Sequence, residues 1–90
     1  MNTLIISYDL HQIGQNYAAL SEAIRNLGSW CHCLGSTWIV KTSLNHLQAA
    51  KRLEATIDQN DALIVIQAFG TDASWTGFDK ERSDWFKSNL

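Results

Sequence analysis

The sequence predicts an α+β fold: a ferredoxin-like βαββαβ sandwich with a four-stranded antiparallel sheet, two helices on one face and an aromatic C-terminal tail. Three observations predict it. Runs at strand and helix periodicity alternate in the order β-α-β-β-α-β. Two of the strand runs are separated only by Gly35-Ser36, which makes them a hairpin. Each helix must return the chain to the sheet, and right-handed crossovers leave the split βαβ topology favoured, with the first and third strands central.

Taken in order, Thr3 to Asp9 is rich in β-branched and aromatic residues and reads as a strand. Leu10 to Gln15 contains Gly14 and reads as a loop, with Asn16 an N-cap. Tyr17, Leu20, Ile24 and Leu27 then recur at helical spacing, and Gly28 fits the position just past the helix end. Ser29–Leu34 and Thr37–Thr42 are the hairpin strands, joined by a two-residue turn of the kind with glycine first. Ser43 is expected to cap a second helix over Leu44–Ile57, with Leu47, Ala50, Leu53 and Ile57 marking its faces. Asp58-Gln59-Asn60-Asp61 breaks that helix, and Ala62–Ala68 is the fourth strand. Residues 1–70 form the sandwich. The tail, 71–90, is a loop and then a short helix from Asp79 to Asn89, packing on the domain or on a dimer partner. The expected core is Leu4, Ile6, Tyr8, Leu20, Ile24, Leu27, Trp38, Val40, Leu47, Leu53, Leu63 and Val65.

Strand alternation sets Leu4, Ile6 and Tyr8 against Ile5, Ser7 and Asp9, and Trp38 and Val40 against Ile39 and Lys41. Both sides carry apolar residues, so neither face of the sheet is expected to be bare to water. A twin subunit or the tail, with Trp75, Phe78, Trp85 and Phe86, is the expected cover.

Ninety residues, 46% hydrophobic and 18% charged, describe one globular domain. A net charge of −2 excludes a wholly basic nucleic-acid coat protein. The longest apolar run, Ala62–Ile66, is too short to span a bilayer, no signal peptide is read at the N-terminus, and no membrane partner is expected. Cys31 and Cys33, one residue apart, would point the same way in a strand with Cβ atoms too far apart to bridge, so a reducing, cytoplasmic setting is the expectation. In a strand His32 points away from both cysteines, which disfavours a zinc site and makes the cysteines small buried hydrophobes. His46 reads as solvated surface. No Gly-rich phosphate loop or nucleophile elbow is present, and no organic cofactor is expected.

Asp9 is the leading candidate for chemistry. It ends a strand where the chain leaves the sheet, and a carboxylate there suits a hard cation such as Mg²⁺ or Mn²⁺. One carboxylate is a weak site, whereas two brought together across a dimer axis can polarise a phosphodiester. The alternative is that Asp9 caps the loop that follows it. Tyr8, His11 and Ser36 are the candidate supporting residues, His11 as base or ligand. Lys41, Trp75 and Phe78 are the candidate contacts to a nucleic-acid or protein partner, the aromatics by stacking on bases or anchoring a protein; alternatively they pin the tail to its own domain.

Ile5-Ile6-Ser7-Tyr8-Asp9-Leu10 resembles the first-strand signature of the small CRISPR-associated adaptation nucleases, Ser36 to Val40 their third strand, and Asn60 to Val65 their fourth. Gly14-Gln15-Asn16-Tyr17, Ser36 to Lys41 and Trp75-Thr76-Gly77-Phe78 are similar to the short bacterial proteins labelled SinR-like, a likeness that covers nearly the whole chain. The resemblance implies a ferredoxin-like homodimer in which Asp9 pairs with its twin across the axis and binds a divalent metal. It implies either a metal-dependent nuclease acting on RNA or DNA, or a non-catalytic dimeric scaffold that binds nucleic acid or protein.

Overall fold

In the computed structural model, which describes residues 1–11, 17–70 and 72–90, four strands form one sheet. The elements are β1 (Asn2–Asp9), α1 (Ala18–Arg25), β2 (Ser29–Leu34), β3 (Thr37–Thr42), α2 (His46–Glu54), β4 (Ala62–Ala68) and α3 (Lys80–Asn89). The spatial order is β2-β3-β1-β4 and every neighbouring pair is antiparallel. This is an α+β fold of roughly ferredoxin-like topology with an aromatic cluster near the C-terminus. β1 and β3 are central, and β2 and β4 are the edges.

One face of the sheet packs under α1 and α2. Leu4, Ile6, Trp38 and Val40 from the strands meet Leu20 and Ile24 of α1 and Ala49 and Leu53 of α2, with Tyr8, Leu63 and Val65 partly buried against them. A second cluster lies on the opposite face, where Cys31, Cys33 and Phe86 are buried with Ile39, Trp75, Phe78, Trp85 and Leu90. The Phe86 ring centroid lies 5.0 Å from Trp75 and 5.0 Å from Phe78, in the tilted and edge-on geometries that aromatic quadrupoles favour. The tail thus lies on its own sheet, over β2 and β3.

The expected Asn16 cap and Gly14 loop lie outside the described residues. Four other local expectations change. α2 is capped by Asn45 and not by Ser43: the Asn45 side chain accepts from the Gln48 N–H while the Gln48 amide oxygen accepts from the Asn45 N–H. The reciprocal pair satisfies two orphan donors, which a serine two residues earlier does not. Leu47 is 66% exposed, and Ala49 and Leu53 are the residues of α2 that are buried: the helix turns a different side to the sheet from the one expected. Gly35 does not adopt positive φ, so the turn is not the expected glycine-first type, and the register of β2 shifts between Cys31 and Leu34 just before it. Gly28 also lacks positive φ, but a Cβ there would lie 2.1 Å from the Lys41 carbonyl oxygen, so close approach of backbone is what requires glycine.

Candidate functional site

Two places combine exposure with specific chemistry: the tip of β1, and the half of the sheet face that the tail leaves uncovered.

At the tip of β1 the Asp9 carboxylate is largely exposed, at 75%, and its Oδ2 lies 3.4 Å from His11 Nε2. The strand's rigidity and the two-residue step bring these side chains together, as an expectation of His11 supporting Asp9 requires. Tyr8 does not join them. It alternates to the helix face, where its hydroxyl accepts from the Trp38 indole N–H at 3.1 Å. Ser36 takes part only through its backbone, its carbonyl accepting from the Tyr8 N–H at 3.1 Å.

A second acid, Asp61, binds the described residues on either side of the segment that follows Asp9. Asp61 Oδ1 accepts from the His11 N–H at 3.0 Å and from the Tyr17 hydroxyl at 3.1 Å, and its Oδ2 accepts from the Asp58 N–H at 2.9 Å. The backbone donors of His11 and then Asp58 stabilise the charged form and hold this carboxyl below the ordinary aspartate value. Asp61 thus ties His11 and Tyr17 to the turn before β4; the amides that Asp9 is expected to cap lie largely outside the described residues. The signal for Asp61 lay in the turn Asp58-Gln59-Asn60-Asp61, which supplies the Asp58 donor, but its other two partners are 44 and 50 positions away in the chain.

A hard divalent cation takes six or more oxygen ligands. Asp9 and His11 supply one carboxylate and one ring nitrogen, and among the described residues no three acidic, imidazole or thiol groups gather where a metal ion can be held. The described residues of a single chain do not by themselves make an Mg²⁺ or Mn²⁺ centre.

The opposite face divides into two halves. Over β2 and β3, the tail and sheet enclose a groove of about 800 Å³ lined by Ile5, Ile39, Trp75, Phe78, Phe86 and Leu90, with Cys33 and Arg82 at its border. Trp75 and Phe78 are packed against Phe86 there, which is the tail-pinning reading and not that of a free stacking platform. Burial pushes both cysteine thiols above their ordinary value, Cys31 and Cys33 alike, so they sit as neutral thiols. Toward β4 the tail gives no cover. Ile64 is 55% exposed and Ile66 47%, with Ile5 beside Ile66 in the ladder, and Phe69 just beyond the strand is 89% exposed. Lys41, the candidate partner contact, is folded down onto this sheet, its ammonium donating to Thr3 Oγ1 at 2.8 Å.

Ile64, Ile66 and Phe69 were not among the expected site residues. Their signal was available: an unbroken apolar run, Ala62–Ile66, in a strand that the topology already places at the sheet edge. No helix among the described residues is long and apolar enough to cross a membrane. No known family model matches the chain, and no curated protein matches it.

Proposed function

We propose that this chain is a non-catalytic, dimeric interaction module whose docking surface is the uncovered half of its sheet. The observation that carries this reading is the exposure of Ile64 and Ile66, side by side on an edge strand beside Ile5. The surface suits protein and not a phosphate backbone: nucleic-acid contact needs a row of Lys or Arg, and the only such residue of β1, β3 and β4 is Lys41, already engaged by Thr3. A second copy of the same chain presents the same apolar strip.

The magnitudes are informative. Burying what remains exposed of four isoleucines, two per copy, stabilises association by about 3–6 kcal/mol, half of the value for full burial of each. Association itself costs about 4–15 kcal/mol. Side-chain burial alone leaves at best about 2 kcal/mol, too little for a stable dimer, so further contacts must accompany it.

The exposed Asp9–His11 pair favours a second reading, in which Asp9 carboxylates of two copies share Mg²⁺ or Mn²⁺ and the dimer is a nuclease acting on RNA or DNA. One experiment separates the two. The purified chain is incubated with RNA or DNA in Mg²⁺ or Mn²⁺ beside Asp9→Asn, and its mass is followed by light scattering. The module reading predicts a mass of two chains and no Asp9-dependent cleavage. Cleavage that Asp9→Asn abolishes establishes the nuclease instead.

A further inference from the structure

We propose that the second copy docks through the free edge of β4, antiparallel to its counterpart and centred on Val65, so that two four-stranded sheets continue as one of eight strands. This rests on the dimer reading above and supplies the contacts that apolar burial lacks.

The two edges of the sheet are treated differently. At β2 the guanidinium of Arg82 donates through Nε to the His32 carbonyl at 3.2 Å, and the Trp85 indole N–H donates to Ser29 Oγ at 3.1 Å, so α3 guards that edge. β4 has no such guard. It contains no charged residue, pairs with β1 without a register shift, and among the described residues no hydrogen bond reaches the backbone of its outer edge. A flat, uncharged, unprotected edge is a template for another strand.

The sequence of β4 is self-complementary in that geometry. A twofold axis at Val65 sets Ile64 of one copy against Ile66 of the other on the bare face, Leu63 against Gln67 on the helix face and Ala62 against Ala68 at the ends. This register pairs all seven strand residues and puts no charge opposite a like charge. Displacing the axis by one residue to Ile64 brings Asp61 opposite Gln67 and leaves Ala68 outside the strand ladder. The contact is isologous, and because the β2 edge is guarded, assembly closes at two copies and does not run on as a fibre.

The arrangement also places the Asp9 carboxylates. Asp9 lies opposite Ala62 in the β1–β4 ladder. Six residues at about 3.4 Å along the strands, and three spacings of about 4.8 Å across them, set the two carboxylates about 25 Å apart. No single metal ion spans that distance.

The test uses the wild-type chain first. Amide hydrogen exchange is compared above and below the dimer's dissociation range. Outward-facing β4 amides are expected to lose protection by at least about tenfold on dilution, while β2 amides do not change. In a chain carrying Cys31→Ser and Cys33→Ser, Val65→Cys is expected to form a disulfide between copies under mild oxidation, because opposed residues in an antiparallel pair fall within bridging distance. Leu34→Cys in the same background is expected not to. A dimer whose wild-type β4 amides exchange equally at both concentrations overturns the edge pairing and leaves the dimer reading standing, whatever the variants do. A chain that is monomeric throughout overturns both.

Discussion

Trp38 is fully buried and fully engaged. Its indole N–H donates to the Tyr8 hydroxyl, His32 stacks on it with centroids 4.0 Å apart, and the Arg25 guanidinium lies 5.6 Å from its ring centre. Trp38→Ala removes the largest core side chain at the junction of both central strands. A loss of about 3–5 kcal/mol in denaturant unfolding is expected, and a loss under about 1 kcal/mol contradicts the packing described. Asp61 makes a different prediction. Its carboxyl titrates below its unfolded value, so it stabilises the fold above the ordinary aspartate pKa and loses that contribution as pH falls through the lower, folded value. Asp61→Asn is therefore expected to lower stability at pH 7 and to flatten the decline in stability below about pH 4, the range set by the ordinary value. Equal acid sensitivity in both chains contradicts this role. Trp38 was legible in the sequence because alternation in a strand decides burial. Asp61 was not, because two of its three donors, His11 and Tyr17, come from a distant segment.

At the scale of elements, the strands were legible to within a residue because β-branched runs and their bounding turns are local signals. The phase of α2 was not. Leu47 and Ala49 lie on different sides of the helix, and hydrophobicity alone favours burying leucine, whereas the buried side of α2 is the one that carries Ala49 and Leu53. The tail's place was left open between its own sheet and another copy's, because the aromatics that carry it fit either. It lies on its own sheet and shields the two cysteines. Thiol labelling at pH 8 is expected to be slow in the intact chain, since burial keeps both thiols neutral and covered. Truncation after Phe69 is expected to bring labelling close to the rate of the unfolded chain while the far-ultraviolet dichroism of the sandwich persists. Equally slow labelling in a folded truncated chain shows that α3 is not the cover.

At the scale of the whole molecule, the expectation that something covers the second sheet face is met over β2 and β3 by the tail and unmet over β4. The split has a simple geometric cause. The tail ends in one short helix, bonded to the β2 edge through Arg82 and Trp85, and does not reach the far edge. What is left is an apolar strip along a bare strand, and its surroundings argue for self-association more than for chemistry at Asp9. Sedimentation equilibrium of the wild-type chain beside Ile64→Lys/Ile66→Lys tests this most directly, with near-ultraviolet dichroism confirming that the tryptophan environment is intact. A small interface of this kind should dissociate on dilution, so the wild type is expected to pass from two chains to one as concentration falls, and the lysine variant to stay at one chain throughout. A wild type that remains a monomer at the highest concentrations, or a lysine variant that associates as strongly as the wild type, contradicts the account.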